Sequence, residues 1–266
     1  MGIREDAFTC RRNGLTIRGM QYLPNEFIED KKYPAMIVSH GFTDNYTSVA
    51  SYCRAFAEMG YISFGFSFCG GGKKEDDIGV KSDGASTDMT IFTEVEDLIT
   101  VKEYVKSLPY IQKEELILAG VSQGGFVSGL AAAGCGEEIS KLIMISPALC
   151  IPDHARRGCL GGSCYDPNNV PSQIDCGKTI LGRAFHDQVV GMDPFRELEP
   201  YKGPVLILHG LEDEIVNYSY AVRAKERYEK GQCGLQLIQN AGHSFLGQHE
   251  KIALASIGQF LMEGDS

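Results

Sequence analysis

The stretch Leu116-Ile117-Leu118-Ala119-Gly120-Val121-Ser122-Gln123-Gly124-Gly125-Phe126 decides how this chain folds. Four apolar residues lead into a G-x-S-x-G pentapeptide, and small and apolar residues follow it. The apolar run reads as a strand buried on both faces, and residues 126–133 read as a helix packed close behind it. Ser122 then stands on a sharp strand-to-helix turn that exposes its hydroxyl. Small residues are required beside it because such a turn brings separate backbone segments together. The pentapeptide alone arises by chance and would then be a plain glycine turn. The strand before it and the helix after it make Ser122 a candidate nucleophile.

Working outward, further short apolar runs occur at 36–39, 62–68, 142–145, 205–208 and 235–238. Each reads as a buried strand. Longer segments at 46–59, 91–107, 218–229 and 252–262 read as helices. In the second of these, Val95, Leu98, Ile99 and Val105 form the apolar stripe. Strands alternating with helices predict an α/β protein with a mostly parallel central sheet and helices on both faces. Residues 8–23 read instead as a hairpin broken at Asn13-Gly14, a strong turn dipeptide. Residues 147–200 are rich in Gly, Pro, Asn and Asp and show no clear sheet strand. A segment that long is read as a cap inserted into a core made of residues 1–146 and 201–266. A second irregular stretch, 69–84, carries three consecutive glycines and a charged run, and reads as a flexible solvated loop.

Composition narrows the function classes. The chain has 266 residues, enough to bury a large core without staples or metals. Its 25 Lys+Arg against 35 Asp+Glu give a net charge of −10, which disfavours binding to phosphate backbones. No partner nucleic acid is expected. The 9 cysteines are odd in number and scattered, with no C-x-x-C pair, so free thiols in a reducing cytoplasm are expected and no metal site is read. No apolar run reaches the roughly 18 residues needed to span a bilayer, and the N-terminal stretch lacks the apolar region of a signal peptide. The expectation is a cytoplasmic protein without a membrane partner.

A serine hydroxyl needs a base within hydrogen-bond reach and a third group to orient that base. Enzymes with this strand–turn–helix elbow place the acid and then the histidine later in the chain. The run 205–208 is followed by His209-Gly210-Leu211-Glu212-Asp213, which puts carboxylates just past the end of a strand. Asp213 and Glu212 compete for the role, and the continuing H-G-x-x-D-x-x-V pattern favours Asp213. Only His243 and His249 follow. His243 lies in a loop directly after a strand and is the candidate base; His249 lies in a charged helical segment and is read as solvent-facing. The oxyanion formed during acyl transfer needs two backbone N–H donors. Gln123, after the nucleophile, supplies one, and Phe42, in the loop His40-Gly41-Phe42-Thr43-Asp44, supplies the other. A plain strand-ending turn with a core histidine at position 40 is the alternative for that loop. No cofactor is required by this chemistry.

With these residues in place, the chain resembles an α/β-hydrolase over essentially its full length. More narrowly, it resembles the bacterial cinnamoyl (feruloyl) esterases. The closer likeness rests on Ser39-His40-Gly41-Phe42-Thr43, Ser122-Gln123-Gly124-Gly125 and Ser146-Pro147-Ala148. It also rests on two cap stretches, Ile151-Pro152-Asp153-His154-Ala155-Arg156 and Tyr165-Asp166-Pro167-Asn168-Asn169-Val170-Pro171. The resemblance implies a serine carboxylesterase acting on small-molecule esters of hydroxycinnamic acids. It also implies a cap that forms the aromatic-acid pocket, and homodimers. Within the cap, Tyr165, Phe185 and Leu160 are candidate walls for a planar phenolic acid, and Asp153 or His154 a candidate partner for its hydroxyl. Rival readings are a lipid esterase or a serine peptidase on the same scaffold, or a binding protein that keeps the fold without the reaction.

Overall fold

A computed structural model describes residues 2–263. The chain runs β1 (Arg4–Arg12), β2 (Leu15–Leu23), β3 (Tyr33–Ser39), α1 (Ala50–Glu58), β4 (Ile62–Phe66), α2 (Ile91–Ser107), β5 (Ile111–Val121), α3 (Gln123–Cys135) and β6 (Lys141–Ile145). It continues through α4 (Ile151–Arg156), β7 (Cys159–Leu160), β8 (Ser163–Cys164), β9 (Gln173–Asp175), β10 (Ile180–Gly182), α5 (Arg183–Val189) and α6 (Pro194–Leu198). It ends with β11 (Val205–Gly210), α7 (Ser219–Lys225), β12 (Cys233–Ile238) and α8 (Gln248–Met262). Eight strands form one sheet in the order β1-β2-β4-β3-β5-β6-β11-β12. The pairs β1–β2 and β2–β4 are antiparallel and every later pair is parallel. This is the fold of the α/β-hydrolases. Among the described residues, no helix is long and apolar enough to cross a membrane.

The period-2 alternation of strand side chains divides the core into two layers. Met36, Val38, Ile117, Ala119, Ile143, Ile145, Leu206 and Leu208 pack with α1 and α8 on one face. Ala35, Ile37, Leu116, Leu118, Leu142, Met144 and Ile207 pack with α2 and α3 on the other. Residues 147–200 add to that second layer: Leu149, Ile151, Leu160, Leu181, Phe185, Phe195 and Leu198 lie in the same buried cluster as α2 and α3.

Several expectations need correction. Strand β5 begins at Ile111, five residues before its apolar run, because Ile111 pairs with Tyr33 while Gln112–Glu115 face water. Strand β12 is the sheet edge, not a strand buried on both faces, and its residues alternate between covered and exposed. The segment 46–59 splits into a 3-10 turn, Tyr46–Val49, and α1. Helix α3 starts at Gln123 and not at 126, since the elbow itself is its N-terminus. Helix α7 closes at Lys225. The cap does hold strands, in two short antiparallel ladders, β7–β8 and β9–β10, hidden in the sequence because each strand has only two or three residues.

The 69–84 loop is anchored at both ends. Cys69 to Gly72 are buried, the Cys69 amide donates to Asp97 Oδ2 at 2.7 Å, and Asp83 accepts from the Thr16 amide and from Arg18. The buried hydroxyl of Ser82 bonds the Ser67 carbonyl, and the Lys74 amide bonds the cap at Lys178 O.

Candidate active site

Ser122, Asp213 and His243 arrive at one point from three strand ends. Ser122 follows β5, Asp213 lies three residues past β11, and His243 lies five residues past β12, all on the C-terminal side of the parallel strands. Ser122 has φ 55 and ψ −120, a backbone geometry that an L-residue rarely adopts. It is held there by its amide, which donates to Ile145 O at 2.8 Å, and by its carbonyl, which accepts from the amides of Gly125, Phe126 and Ala148. The turn closes only because Gly124 has no side chain. The carbonyls of Ser39 and His40 occupy the space that a Cβ there would need. Strain of this kind persists where the surroundings over-determine it, and it presents the Ser122 hydroxyl at the surface of the sheet.

His243 Nε2 lies 2.9 Å from Ser122 Oγ, and His243 Nδ1 lies 2.8 Å from Asp213 Oδ2. Asp213 is fully engaged. Its Oδ1 accepts from the amides of Ile215 and Val216 at 2.9 and 2.8 Å, and its Oδ2 also lies 3.1 Å from His209 Nε2. Burial pushes the Asp213 carboxyl up, but the hydrogen bonds from His209, His243 and the Val216 amide outweigh it and hold the group well below the usual carboxylate range. An ionised acid there fixes the imidazole with Nδ1–H toward Asp213 and Nε2 free to accept the serine proton. Glu212, the competing carboxylate, is exposed, and His249 is half-buried in the first turn of α8.

The loop after β3 lies against the elbow. A Cβ on Gly41 would sit 3.3 Å from Ser122 Cβ. His40 is buried and neutral: burial lowers its pKa to about 4. Its Nδ1 bonds Gly41 O at 2.8 Å, and its Nε2 accepts from the Phe68 amide at 3.2 Å. It thereby ties the loop to the strand end of β4. Phe42 and Gln123 both line the cavity beside Ser122. Gln123 opens α3, where the first amides of a helix have no acceptor within it, so its N–H is available to an oxyanion.

Two supporting residues escape a reading of the sequence. Glu94 on α2 is 2% exposed, and both its oxygens lie 2.8 Å from the side-chain Nε2 of Gln123. Burial raises the Glu94 carboxyl well above its ordinary value. The pair clamps the residue whose backbone faces the cavity. Its signal was available: α2 buries positions 91, 94, 98, 101 and 105, and a glutamate stands on that stripe. His209 is the second. It is fully buried and holds both Asp213 and the Val216 carbonyl.

A cavity of about 780 Å³ opens over Ser122. Phe42, Ile151, Leu160, Leu181, Phe185 and Val216 give it apolar walls, and Asp44, His154 and Arg157 are polar groups along it. Two cap expectations fail here. Asp153 is not in the cavity wall, because its carboxylate is taken by Tyr220 Oη at 2.7 Å and by Arg156. Tyr165 is also absent from the wall, since its hydroxyl bonds His186 Nδ1 at 2.7 Å and its ring packs edge-on to that imidazole. Among the described residues, no group of three or more His, Cys, Asp or Glu side chains is placed to hold a metal ion.

Comparison with known proteins follows the same lines. Residues 30–161 match the family model described as serine aminopeptidase, S33. The chain is 30% identical over 145 residues to a protein described as "Probable dipeptidyl-peptidase 5" of Aspergillus terreus, and 33% identical over 146 residues to its namesake in Aspergillus clavatus. Those matches cover 49% of this chain but only 18% of the fungal proteins, so the chain spans a small part of the curated relatives it matches. Among solved structures, Est1E of Butyrivibrio proteoclasticus with bound ferulic acid superposes with a TM-score of 0.86 at 28% identity, covering 96% of this chain and 98% of that one. DcsB, in complex with a substrate analogue, shares the fold at a TM-score of 0.76 and 18% identity. The chain has the α/β-hydrolase fold with a serine at its elbow, and it resembles the bacterial feruloyl esterases.

Proposed function

We propose that this protein is a serine carboxylesterase that cleaves esters of planar aromatic acids of the hydroxycinnamoyl type. The observation that carries the reading is the end-to-end likeness to Est1E, whose structure holds ferulic acid, together with a largely apolar cavity over Ser122. Ser122 Oγ attacks the ester carbonyl while His243 Nε2 takes its proton. Asp213 steadies the imidazolium, and the amides of Phe42 and Gln123 hold the oxyanion. His243 then protonates the leaving alcohol, and water repeats the cycle on the acyl-enzyme. The apolar walls suit an aromatic ring, and His154, which lines the same cavity, supports a partner role toward a polar substituent on it.

Initial rates on methyl ferulate, p-coumarate and cinnamate, set beside p-nitrophenyl esters of short and long fatty acids, test the assignment. Hydrolysis of methyl ferulate with kcat/KM at least tenfold above the long-chain esters supports it. Turnover of p-nitrophenyl acetate with none of methyl ferulate overturns it. The S33 match and the fungal relatives favour one second reading, cleavage of short peptides after the N-terminal residue or residues. Aminoacyl- and dipeptidyl-p-nitroanilides in the same panel separate the two.

A further inference from the structure

Strands β7 and β8 form a hairpin whose turn is Gly161-Gly162, both with positive φ, at 56 and 86. Two residues with positive φ match the right-handed twist of the flanking strands, so the hairpin is tight and its register fixed. Leu160 faces Ser163, and Cys159 faces Cys164. The Tyr165 amide donates to Gly158 O at 2.7 Å. Hydrogen-bonded and non-hydrogen-bonded pairs alternate along an antiparallel ladder, which makes Cys159 and Cys164 a non-hydrogen-bonded pair. There the Cα atoms approach to about 4.5 Å, within the range that a disulfide spans. The two Sγ atoms are 2.7 Å apart.

This hairpin is also a wall of the substrate cavity, to which both cysteines contribute. Its turn rests on the oxyanion loop. A Cβ on Gly161 would come within 2.7 Å of both Phe42 Cε1 and Cys176 Sγ. Cys176 is a third thiol beneath the turn, but its Sγ is directed to the carbonyls of Leu160 and Ile174.

We propose that Cys159 and Cys164 are an oxidation site, a dithiol that closes to a disulfide by exchange with a low-molecular-weight disulfide and staples this wall of the cavity. Cys164 is exposed and Cys159 half-buried, so Cys164 reacts first. Its thiolate attacks one sulfur of R–S–S–R and expels RS⁻, leaving a mixed disulfide. The Cys159 thiolate then attacks Cys164 Sγ and expels the second RS⁻. Two thiols are oxidised, one disulfide is reduced, and the two protons end on two molecules of RSH. The expectation that all the cysteines are free thiols is thereby confined to a reducing environment.

Incubation of the full chain with oxidised glutathione, alkylation without reductant and cleavage before aspartates tests this. The peptide spanning residues 153–165 holds both cysteines and excludes Cys176. It should be lighter by two hydrogens than the reduced peptide and carry no alkyl group. Denatured without reductant, the full chain should show two fewer reactive thiols than its nine, restored by dithiothreitol. Amide hydrogen exchange over residues 158–165 should slow by about tenfold on oxidation. Full alkylation of both cysteines, a glutathione adduct that persists on Cys164, or a bond from either one to Cys176 overturns the site. Closure without slowed exchange overturns the staple. None of these readouts depends on which ester or peptide the enzyme cleaves.

Discussion

The sheet beneath Ser122 and the segment over it are held by different means. Strands β5 and β11 have eleven and six residues, and each pairs with a parallel neighbour on both sides. In residues 147–200 no strand exceeds three residues. That segment keeps its shape through side-chain bonds such as Tyr165–His186 and Tyr220–Asp153, and through apolar residues set into the layer formed by α2 and α3. Long ladders fix backbone atoms, and so the sheet can hold a strained serine and aim an acid and a base at it. A segment held by individual side chains can change its lining without disturbing those atoms. Chemistry is expected to live in the first region and selectivity in the second.

The comparison breaks most visibly if the sheet residues prove dispensable. Ser122→Ala should lower kcat by about 10³–10⁶-fold with the fold unchanged by circular dichroism, leaving turnover that depends on binding and the oxyanion donors alone. A folded Ser122→Ala protein with wild-type turnover would remove the serine from the mechanism. Asp213→Asn should cost about 10³–10⁴-fold in kcat, because the amide no longer selects the productive tautomer. Glu212→Gln, at an exposed position, should stay within about twofold. The opposite ranking of these two variants would move the acid by one residue.

A pH titration of stability sharpens the contrast from the side of the sheet. His40 is held neutral in the fold, with its pKa lowered to about 4 by burial. A lowered pKa means that its contribution is complete above the unfolded value near 6.5 and is lost as pH falls through 4. Up to about 3 kcal/mol should disappear in that window, read as a falling urea midpoint. His40→Asn should flatten the profile there, and an unchanged slope would show that His40 titrates freely.

Glu94→Ala should reduce kcat about tenfold with KM within about threefold, since Glu94 acts through Gln123 and touches no substrate. Glu94→Gln should recover part of the loss. A lower Tm with unaltered kcat would assign the pair to the fold alone. The smallest effect belongs to the cap. His154→Ala should narrow the preference for methyl ferulate over methyl cinnamate by up to about tenfold while leaving p-nitrophenyl acetate within about threefold. Asp153→Ala should leave that preference intact, because its carboxylate serves Tyr220 and Arg156. A larger loss of selectivity in Asp153→Ala than in His154→Ala would reverse the assignment of the pocket's polar end.

How legible each part was follows from the range of the interactions that form it. The strands and the elbow could be read because nearly continuous apolar runs and G-x-S-x-G are local patterns. The start of β5 is hidden because Gln112–Glu115 bulge out between the pairs Ile111–Tyr33 and Leu116–Ala35 and bring no apolar side chain to the strand pattern. The cap ladders leave no mark because strands of two or three residues carry no periodicity, and the anchoring of residues 69–84 leaves none because its partners, Thr16, Arg18 and Asp97, lie far away in the chain.

The sequence by itself determined the sheet, the order of Ser122, Asp213 and His243, and the strand end that each follows. Those features depend on side-chain period and on residue types that only a few backbone geometries accept. Only the tertiary structure decided which polar groups face the cavity. Asp153 and His154 are adjacent on α4, yet one is bonded to Tyr220 and the other lines the pocket. The same holds for Glu94 beneath Gln123, His209 behind Asp213 and Cys159 against Cys164. A side chain's partner is set by the packing of elements distant in the chain or by the register of a two-residue turn, and neither leaves a periodic mark in the sequence.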